Sequence, residues 1–229
     1  MPPVSDPWAW TQPIHDRHFG AKLAGRYRVE PVSAERYWDE LVPAWRDSWP
    51  PEVYFDFESL QSQGAAAGAA RLRDSRGVRA LRGQWRALDG DRQVALFSGG
   101  QRDDTTWLMT HAQVHPDERG KGIYSAIVRL IIDYTAELGF QQIVSSHSPS
   151  NNAVIVPKLR AGFLISAVEV DAAHGTSIIL TYFHDPAQRA AFAFRAGDAV
   201  LTPALIGAGR VGMDRLREQF QEGSSGQEG

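Results

Sequence analysis

The stretch HPDERGKGIYSAI, residues 115–127, places a bare turn directly before a helix. Two glycines, Gly120 and Gly122, follow Pro116, and an apolar pattern with a helical period then runs to Leu138. Glycine adopts backbone conformations that other residues disfavour, so its amides can approach a ligand closely. A helix start also carries unpaired N–H groups and a partial positive charge, which attract phosphate. The turn therefore predicts a cradle for a pyrophosphate.

The two best-known phosphate loops do not match this turn. A Walker A loop requires G-x-x-x-x-G-K-[ST], but here Lys121 precedes its glycine and no hydroxyl residue follows at the required place. A dinucleotide loop requires a third glycine at the position of Ser125. Both classes of loop are excluded, so the anion must be held by another kind of turn.

The composition is that of a soluble globular protein. The 229 residues can bury one sizeable core and leave room for an appendage. The net charge is −3 and like charges do not cluster, so neither nucleic acid nor a membrane is indicated as a partner. The absence of cysteine excludes disulfides, thiolate metal sites and a cysteine nucleophile. The start lacks the pattern of a secretory signal and the apolar windows are too short to span a bilayer, which predicts a cytoplasmic location.

Hydrophobic periodicity predicts an order of strands and helices along the chain. Residues 63–70 are low in complexity and fit either a flexible link or the frayed end of a helix. The predicted elements are a strand over 27–32, a helix from Ser33 to Trp45, a short helix over 53–61, a hairpin turning at Asp89-Gly90, a strand over 105–114, the helix closed by Gly139, a strand over 141–148, a mostly helical segment over 151–163 and a final hairpin over 163–183.

The turn and its surroundings resemble one family. The pattern V-x-P-x-x-R-G-x-G-[I/V] is present, and it resembles motif A of the GNAT (GCN5-related N-acetyltransferase) family. Downstream, Asn152-Ala153 followed by Gly162-Phe163 resembles a second segment of that family. The resemblance covers roughly residues 26–184. The residues that carry motif A are Val114, Pro116, Arg119, Gly120, Gly122 and Ile123.

The resemblance implies an α+β fold. We expect a central mixed, mostly antiparallel, twisted sheet of six to seven strands, with one parallel pair that splays apart and about four flanking helices. The implied organisation is an N-terminal arm (1–25), a GNAT acetyltransferase domain (26–184) and a C-terminal extension with a disordered tail (185–229). The arm or the extension would also suit a homodimer interface.

The family uses acetyl-CoA as co-substrate, and the resemblance implies where this chain binds it. Backbone groups near Gln113 and Val114 are expected to pair with the pantetheine arm, which Asn152 also contacts. Amides from Arg119 to Tyr124 are expected to bind the pyrophosphate. Lys121 either reaches a phosphate oxygen or is a solvated loop residue. The full set of expected coenzyme A ligands is Gln113, Val114, Arg119, Gly120, Lys121, Gly122, Ile123, Tyr124 and Asn152.

Two positions depart from the family pattern. Tyr124 stands where the family usually has Gly or Ala, so its ring must point away from the cofactor or lie across it. Lys158 stands where many members carry a tyrosine that protonates the departing coenzyme A thiolate. A lysine is able to donate that proton, but the sequence leaves the acid unassigned.

The general base has three candidates, His111, His147 and Thr110. A histidine suits the task because it titrates near neutrality. Strand alternation puts His111 and Val114 on opposite faces unless a bulge intervenes. Each histidine would otherwise be an ordinary sheet or loop residue. A metal is not expected, because the His15/His18 pair has no evident third ligand.

The predicted activity is transfer of an acetyl group from acetyl-CoA to the amine of a small molecule, by direct attack in a ternary complex. Two alternatives stay open: a non-catalytic acyl-CoA binding or sensing module, and an acetyltransferase of protein N-termini. Aromatic and acidic residues near the second helix either bind the acceptor amine or form core and solvated surface. They are Trp45, Trp49, Tyr54 and Phe57, with Glu52, Asp56 and Glu58.

Overall fold

The computed structural model describes residues 8–48, 80–172 and 174–197. Within these ranges the strands are β1 (Arg28–Pro31), β2 (Arg82–Asp89), β3 (Arg92–Gln101), β4 (Thr106–Val114), β5 (Gln142–His147), β6 (Leu164–Asp171) and β7 (Gly175–Phe183). The α-helices are α1 (Gln12–Phe19), α2 (Ile123–Glu137), α3 (Asn152–Arg160) and α4 (Pro186–Arg195). Short 3₁₀ turns occupy Ala9–Thr11, Pro43–Ser48 and Pro116–Glu118.

The seven strands form one sheet in the order β1-β2-β3-β4-β5-β7-β6. Strands β1 to β4 pair antiparallel with their neighbours, as do β6 and β7, whereas β4 and β5 pair in parallel. The predicted mixed sheet with one parallel pair is therefore confirmed. The first hairpin turns one residue later than predicted: Asp89 pairs with Arg92, and Gly90 takes the left-handed conformation.

Helix α2 packs its apolar face on the sheet, as its period predicts. Ile127 and Val128 are fully buried, and Ile131 is 2% exposed. The helix is followed by Gly139, whose φ of +90° is the left-handed conformation that ends many helices. The prediction of this helix and of its terminating glycine is confirmed.

The N-terminal segment packs on the same core. The ring of Phe19 stacks on Trp85 with centroids 4.5 Å apart and meets Tyr134 of α2 edge-on at 5.0 Å. On the surface, Arg17 and His18 both pair with the carboxylate of Glu137. The helix α1 in the predicted arm therefore contacts α2 through the edge-on rings of Phe19 and Tyr134 and through the ion pairs with Glu137.

The chain divides into two compact units, Met1–Tyr182 and Phe183–Gly229. In the second unit, the side chain of Asp185 accepts a hydrogen bond from the amide of Ala187 at 2.7 Å and so caps α4. The ring of Phe192 lies 5.4 Å from that of Phe183. None of the helices in the described ranges has the length and apolarity needed to cross a bilayer.

The predicted regular helix from Ser33 to Trp45 was wrong in its middle and end. Ser33 does cap the helix start, since its Oγ accepts from the amide of Arg36 at 3.3 Å. The helix is then wound as a π-helix over Arg36–Leu41, and it stops because Pro43 has no N–H to continue the bonding. The short helix predicted over 53–61, the segment 63–70 and the tail of the extension lie outside the described residues.

Candidate active site

The turn between β4 and α2 is held by the buried carboxylate of Glu118. Its two oxygens accept from Arg92 Nη1 and from Lys121 Nζ, each at 2.9 Å. These cations, Lys121 first, keep the pKa of Glu118 below its usual value. Arg119 Nε also donates to the carbonyl of Val114 at 3.3 Å. Side-chain contacts therefore shape the loop from within the protein.

The first amides of α2 and of the turn before it are not hydrogen-bonded within the described residues. Gly120 and Gly122 have φ of +76° and +78°, and Gly122 is the N-cap of the helix. A Cβ at either glycine would meet nothing within 4 Å, so conformation rather than crowding favours glycine. Within the described residues, the amides of residues 120 to 125 have no protein acceptor; the first bonded amide is that of Ala126. Six successive amides are thus left for an anion.

Two residues that the sequence left open in this loop have definite surroundings. Lys121 is half-exposed, and its ammonium bonds Glu118 rather than pointing freely to solvent. Tyr124 is half-buried and packs against the hydrophobic core, and burial raises the pKa of its phenol. The bulky residue at the helix start is therefore at least partly directed inward.

Strands β4 and β5 pair only over their first residues. The register runs from Thr106 opposite Gln142 to Leu108 opposite Val144. Strand β4 then continues to Val114 with β3 as its partner, while β5 continues to His147. In the part of the chain that the structure describes, no registered pairing joins β4 and β5 beyond Leu108, so the last six residues of β4 lie outside the parallel pairing.

A β-bulge at Thr110 decides which way the following residues of β4 point. Ser98 pairs with His111 and Gly99 with Met109, so Thr110 is the extra residue. A bulge of one residue reverses the alternation of side chains. Before the bulge, the side chains of Trp107 and Met109 lie in the core. After it, the side chains of Ala112 and Val114 pack against the core instead. His111 and Gln113 are turned to the opposite face.

That opposite face is covered by the helical segment before Pro43 and by the turn after it. The hydroxyl of Tyr37 lies 2.6 Å from His111 Nδ1, and Gln113 Nε2 donates to the carbonyl of Trp45 at 3.1 Å. Burial lowers the pKa of His111 to about 4 and raises that of Tyr37. His111 is therefore neutral at pH 7, while Tyr37 keeps its proton. His111 and Val114 lie on opposite faces, because the bulge precedes both.

Lys158 is a buried lysine beside the open end of β5. It is 1% exposed, its Nζ donates to Ser145 Oγ at 2.5 Å, and it lies 5.0 Å from the centre of the Phe163 ring. Ser145 Oγ is also 3.0 Å from His147 Nε2. Burial lowers the pKa of Lys158 to about 7; burial, with a smaller effect of Lys158, lowers that of His147 to about 3. Lys158 can thus exchange a proton near neutrality.

The lowered pKa of Lys158 predicts a pH dependence of stability. Between pH 7 and 10.5 the unfolded chain holds a proton on this lysine that the folded chain has released. The free energy of unfolding should therefore rise with pH across this window, by up to about 1.4 kcal/mol per unit from this group. The free energy of unfolding in urea should rise more steeply with pH in the wild type than in Lys158→Met, so the wild type should gain on the variant across this window; equal slopes would contradict the prediction.

Comparison with known proteins identifies the family. The model of the acetyltransferase (GNAT) family matches residues 34–163, more than half of the 229 residues. The chain belongs to the GNAT family. This membership places it among acyltransferases, and the resemblance predicted from the glycine turn is confirmed. No match was found among curated proteins.

Solved structures show the GNAT fold at low identity. A proposed acetyltransferase from Acinetobacter baylyi ADP1 is 16% identical with a TM-score of 0.50, covering 69% of this chain and 93% of its own. The ribosomal-protein-S18-alanine N-acetyltransferase of Escherichia coli is 16% identical with a TM-score of 0.46, and the coverage is 69% and 93%. A GNAT family acetyltransferase from Elizabethkingia anophelis with acetyl-CoA bound is 12% identical with a TM-score of 0.45, and the coverage is 69% and 98%. The first of these supports the fold and says nothing about the acceptor.

The other candidate residues of this GNAT chain are more scattered. Asn152 is exposed at the first position of α3. His15 accepts from the indole of Trp85 at 3.1 Å, and His18 pairs with Glu137, so the H-x-x-H pair is used in packing. Of the proposed acceptor-binding residues, all except Trp45 lie outside the described residues. The residues outside the described ranges are Trp49, Glu52, Tyr54, Asp56, Phe57 and Glu58.

Three residues near the GNAT site were not singled out as site residues from the sequence. Tyr37 lies within the predicted helix from Ser33 to Trp45, and its hydroxyl contacts His111 from 74 positions away. Ser145 and Glu118 carry no spacing that marks them. One signal for Glu118 was available in the sequence: it is an acidic residue inside a loop expected to bind an anion. A carboxylate in such a loop requires cationic partners.

Proposed function

We propose that this GNAT chain transfers the acetyl group of acetyl-CoA to the amine of a small molecule, by direct attack within a ternary complex. The observation that carries the proposal is the set of six amides, residues 120 to 125, without acceptors among the described residues, in the turn that follows the part of β4 not paired in register with β5. A pyrophosphate suits such amides at a helix start. The end of β4 at Gln113 and Val114 lies beyond its registered pairing with β5, and a strand end of this kind suits the amide groups of a pantetheine arm.

His111 is the proposed general base. The attacking amine must lose a proton, and a neutral histidine held by a second group is the usual acceptor. Tyr37 orients the ring through Nδ1. For His111 to accept at Nε2, Nδ1–H must donate to Tyr37, whose own proton then turns towards Ser98. The hydroxyl of Ser98 is a hydrogen-bond partner of Tyr37, and it also lies 2.7 Å from the hydroxyl of Thr110.

Lys158 is the proposed general acid. It occupies the position where many family members carry the tyrosine that protonates the coenzyme A thiolate. Because its pKa is lowered to about 7, its ammonium gives up a proton far more readily than an exposed lysine does. His147 hydrogen-bonds Ser145, and burial together with the nearby charge of Lys158 lowers its pKa, so it belongs with the proposed acid. We therefore assign the base to His111 rather than to His147.

Binding and turnover test the proposed function separately. Isothermal titration with acetyl-CoA should show one site, and release of free thiol should require both acetyl-CoA and an amine from a broad panel. Tight binding without turnover on any amine or peptide would favour the non-catalytic module. Turnover on peptide N-termini but not on small amines would favour the protein acetyltransferase. Absence of acetyl-CoA binding would contradict all three.

The role of Tyr37 gives a smaller prediction. In Tyr37→Phe the ring of His111 loses the partner at Nδ1, so kcat/KM should fall about tenfold, the effect of one lost hydrogen bond to a reacting group. The affinity for acetyl-CoA should not change. Tyr27→Phe is the matched control, since Tyr27 is a buried tyrosine of the core, 3% exposed. Equal losses in both variants would assign Tyr37 a purely structural role.

A further inference from the structure

Ser145 links two titratable side chains, and the proposed reaction uses only one of them. It lies on β5, is fully buried, and its single hydroxyl contacts both Lys158 Nζ and His147 Nε2. Lys158 belongs to α3 and His147 to the free end of β5, so two elements meet at this hydroxyl. A buried hydroxyl between two titratable groups is the geometry of a proton path.

The directions of the hydrogen bonds follow from the donors available. A charged Lys158 can only donate, so Ser145 Oγ accepts from it. The hydroxyl proton of Ser145 is then directed to His147 Nε2, which must be unprotonated, and the imidazole proton lies on Nδ1. When Lys158 is neutral, its nitrogen has a lone pair, which makes the reversed arrangement available: His147 Nε2–H donates to Ser145, and Ser145 donates to Lys158.

Among the described residues, Ser145 is the side chain that hydrogen-bonds Lys158. No carboxylate there lies within ion-pair distance of it, and its remaining named contact is the ring of Phe163. Of the elements around it, β5 contributes His147, α2 contributes no hydrogen bond or ion pair to it, and Arg160 of its own helix is exposed. His147 is partly exposed, whereas Lys158 is buried.

We propose that Ser145 and His147 form a proton relay that recharges Lys158 from solvent after each acetyl transfer. The inference rests on the proposed function, in which Lys158–NH₃⁺ protonates the thiolate and becomes –NH₂. A solvent proton binds His147 Nδ1, the Nε2 proton passes to Ser145 Oγ, and the hydroxyl proton of Ser145 passes to Lys158 Nζ. One proton enters, one reaches Lys158, and His147 is left neutral with its proton on Nδ1.

The relay makes the tautomer of His147 depend on the charge of Lys158. Two-bond ¹H–¹⁵N NMR spectra should show His147 with the proton on Nδ1 when Lys158 is charged and on Nε2 when it is neutral. The His147 signals are assigned by their loss in His147→Gln. In Ser145→Ala the tautomer should no longer follow the titration of Lys158. A single His147 tautomer throughout the titration in the wild type would overturn the relay.

Kinetics supply the second readout. Ser145→Ala should lower kcat roughly tenfold and change the pH profile of kcat, with the KM for acetyl-CoA within about twofold of wild type. Ser145→Thr keeps a hydroxyl and should recover most of the rate. Ser177→Ala removes another buried serine, on the adjacent β7, and should behave as wild type. A Ser145→Ala variant that matches Ser177→Ala would refute the relay.

The two proposals fail in different ways. If no amine or peptide supports turnover but the tautomer of His147 still follows Lys158, the proposed function fails and the hydrogen-bonded chain stands without a catalytic use. If turnover occurs and the tautomer does not respond, the relay fails and the proposed function stands.

Discussion

Gly122→Asp should weaken the binding of acetyl-CoA by roughly 100-fold or more. The residue has a φ of +78°, which an aspartate adopts only with strain, and it caps the helix whose first amides have no acceptor among the described residues. A carboxylate there would lie within a few ångströms of the bound pyrophosphate, where two like charges repel by about 4 kcal/mol at an effective dielectric constant of 20. Isothermal titration with acetyl-CoA measures the loss, and circular dichroism checks the fold.

Gly175→Asp is the matched control for this change. Gly175 also has a positive φ, +66°, and open space at the Cβ position, but it is the first residue of β7, in the hairpin with β6. It should therefore carry a similar backbone strain without loss of affinity. If Gly122→Asp binds acetyl-CoA as tightly as Gly175→Asp does, the amides of the turn do not hold the pyrophosphate and the proposed function loses its main support.

Lys158→Met should lower kcat by about 100-fold or more while leaving the affinity for acetyl-CoA nearly unchanged. A general acid contributes about 10²- to 10⁴-fold to a rate, and methionine fills a similar volume without a proton to give. The variant should not be less stable at neutral pH. It removes an ammonium that is 1% exposed and has no carboxylate at ion-pair distance among the described residues.

Lys158→Tyr separates the loss of an acid from the loss of a lysine. It places a phenol where many members of the family have one, so part of the rate lost in Lys158→Met should return. The comparison is made by free-thiol release under saturating acetyl-CoA. A wild-type rate in Lys158→Met, or an equal loss in both variants with intact acetyl-CoA binding, would remove Lys158 from the role of acid.

Local sequence carries much of the fold. The apolar stripe of α2, the glycine that follows it and the glycine-rich turn before it are set by interactions within about one helical turn, and the structure has them where the pattern predicts them. The failed prediction also has a local cause. Pro43 ends the helix that was expected to reach Trp45, and a stricter use of the rule that proline interrupts helices would have corrected it.

The geometry of the candidate active site depends on the β-bulge at Thr110, which the hydrophobic periodicity of the sequence does not reveal. Without the extra residue at Thr110, alternation would place His111 and Gln113 on the same face as Trp107 and Met109, against the core. The bulge reverses their direction and brings His111 to Tyr37. A bulge is a register shift between two strands, so it depends on the fit of β3 to β4 and not on either strand alone.

The sequence alone was enough to recognise the family and, through that resemblance, to expect the mixed sheet. It also predicted the glycine turn at the start of α2, because that turn depends on backbone conformations that neighbouring residues impose. Only the folded chain decided which side chains meet. Tyr37 reaches His111 across 74 positions, and Ser145 receives Lys158 from a different element. Such contacts, and the pKa changes that burial causes, arise from the packing of distant segments, for which a single sequence has no local pattern.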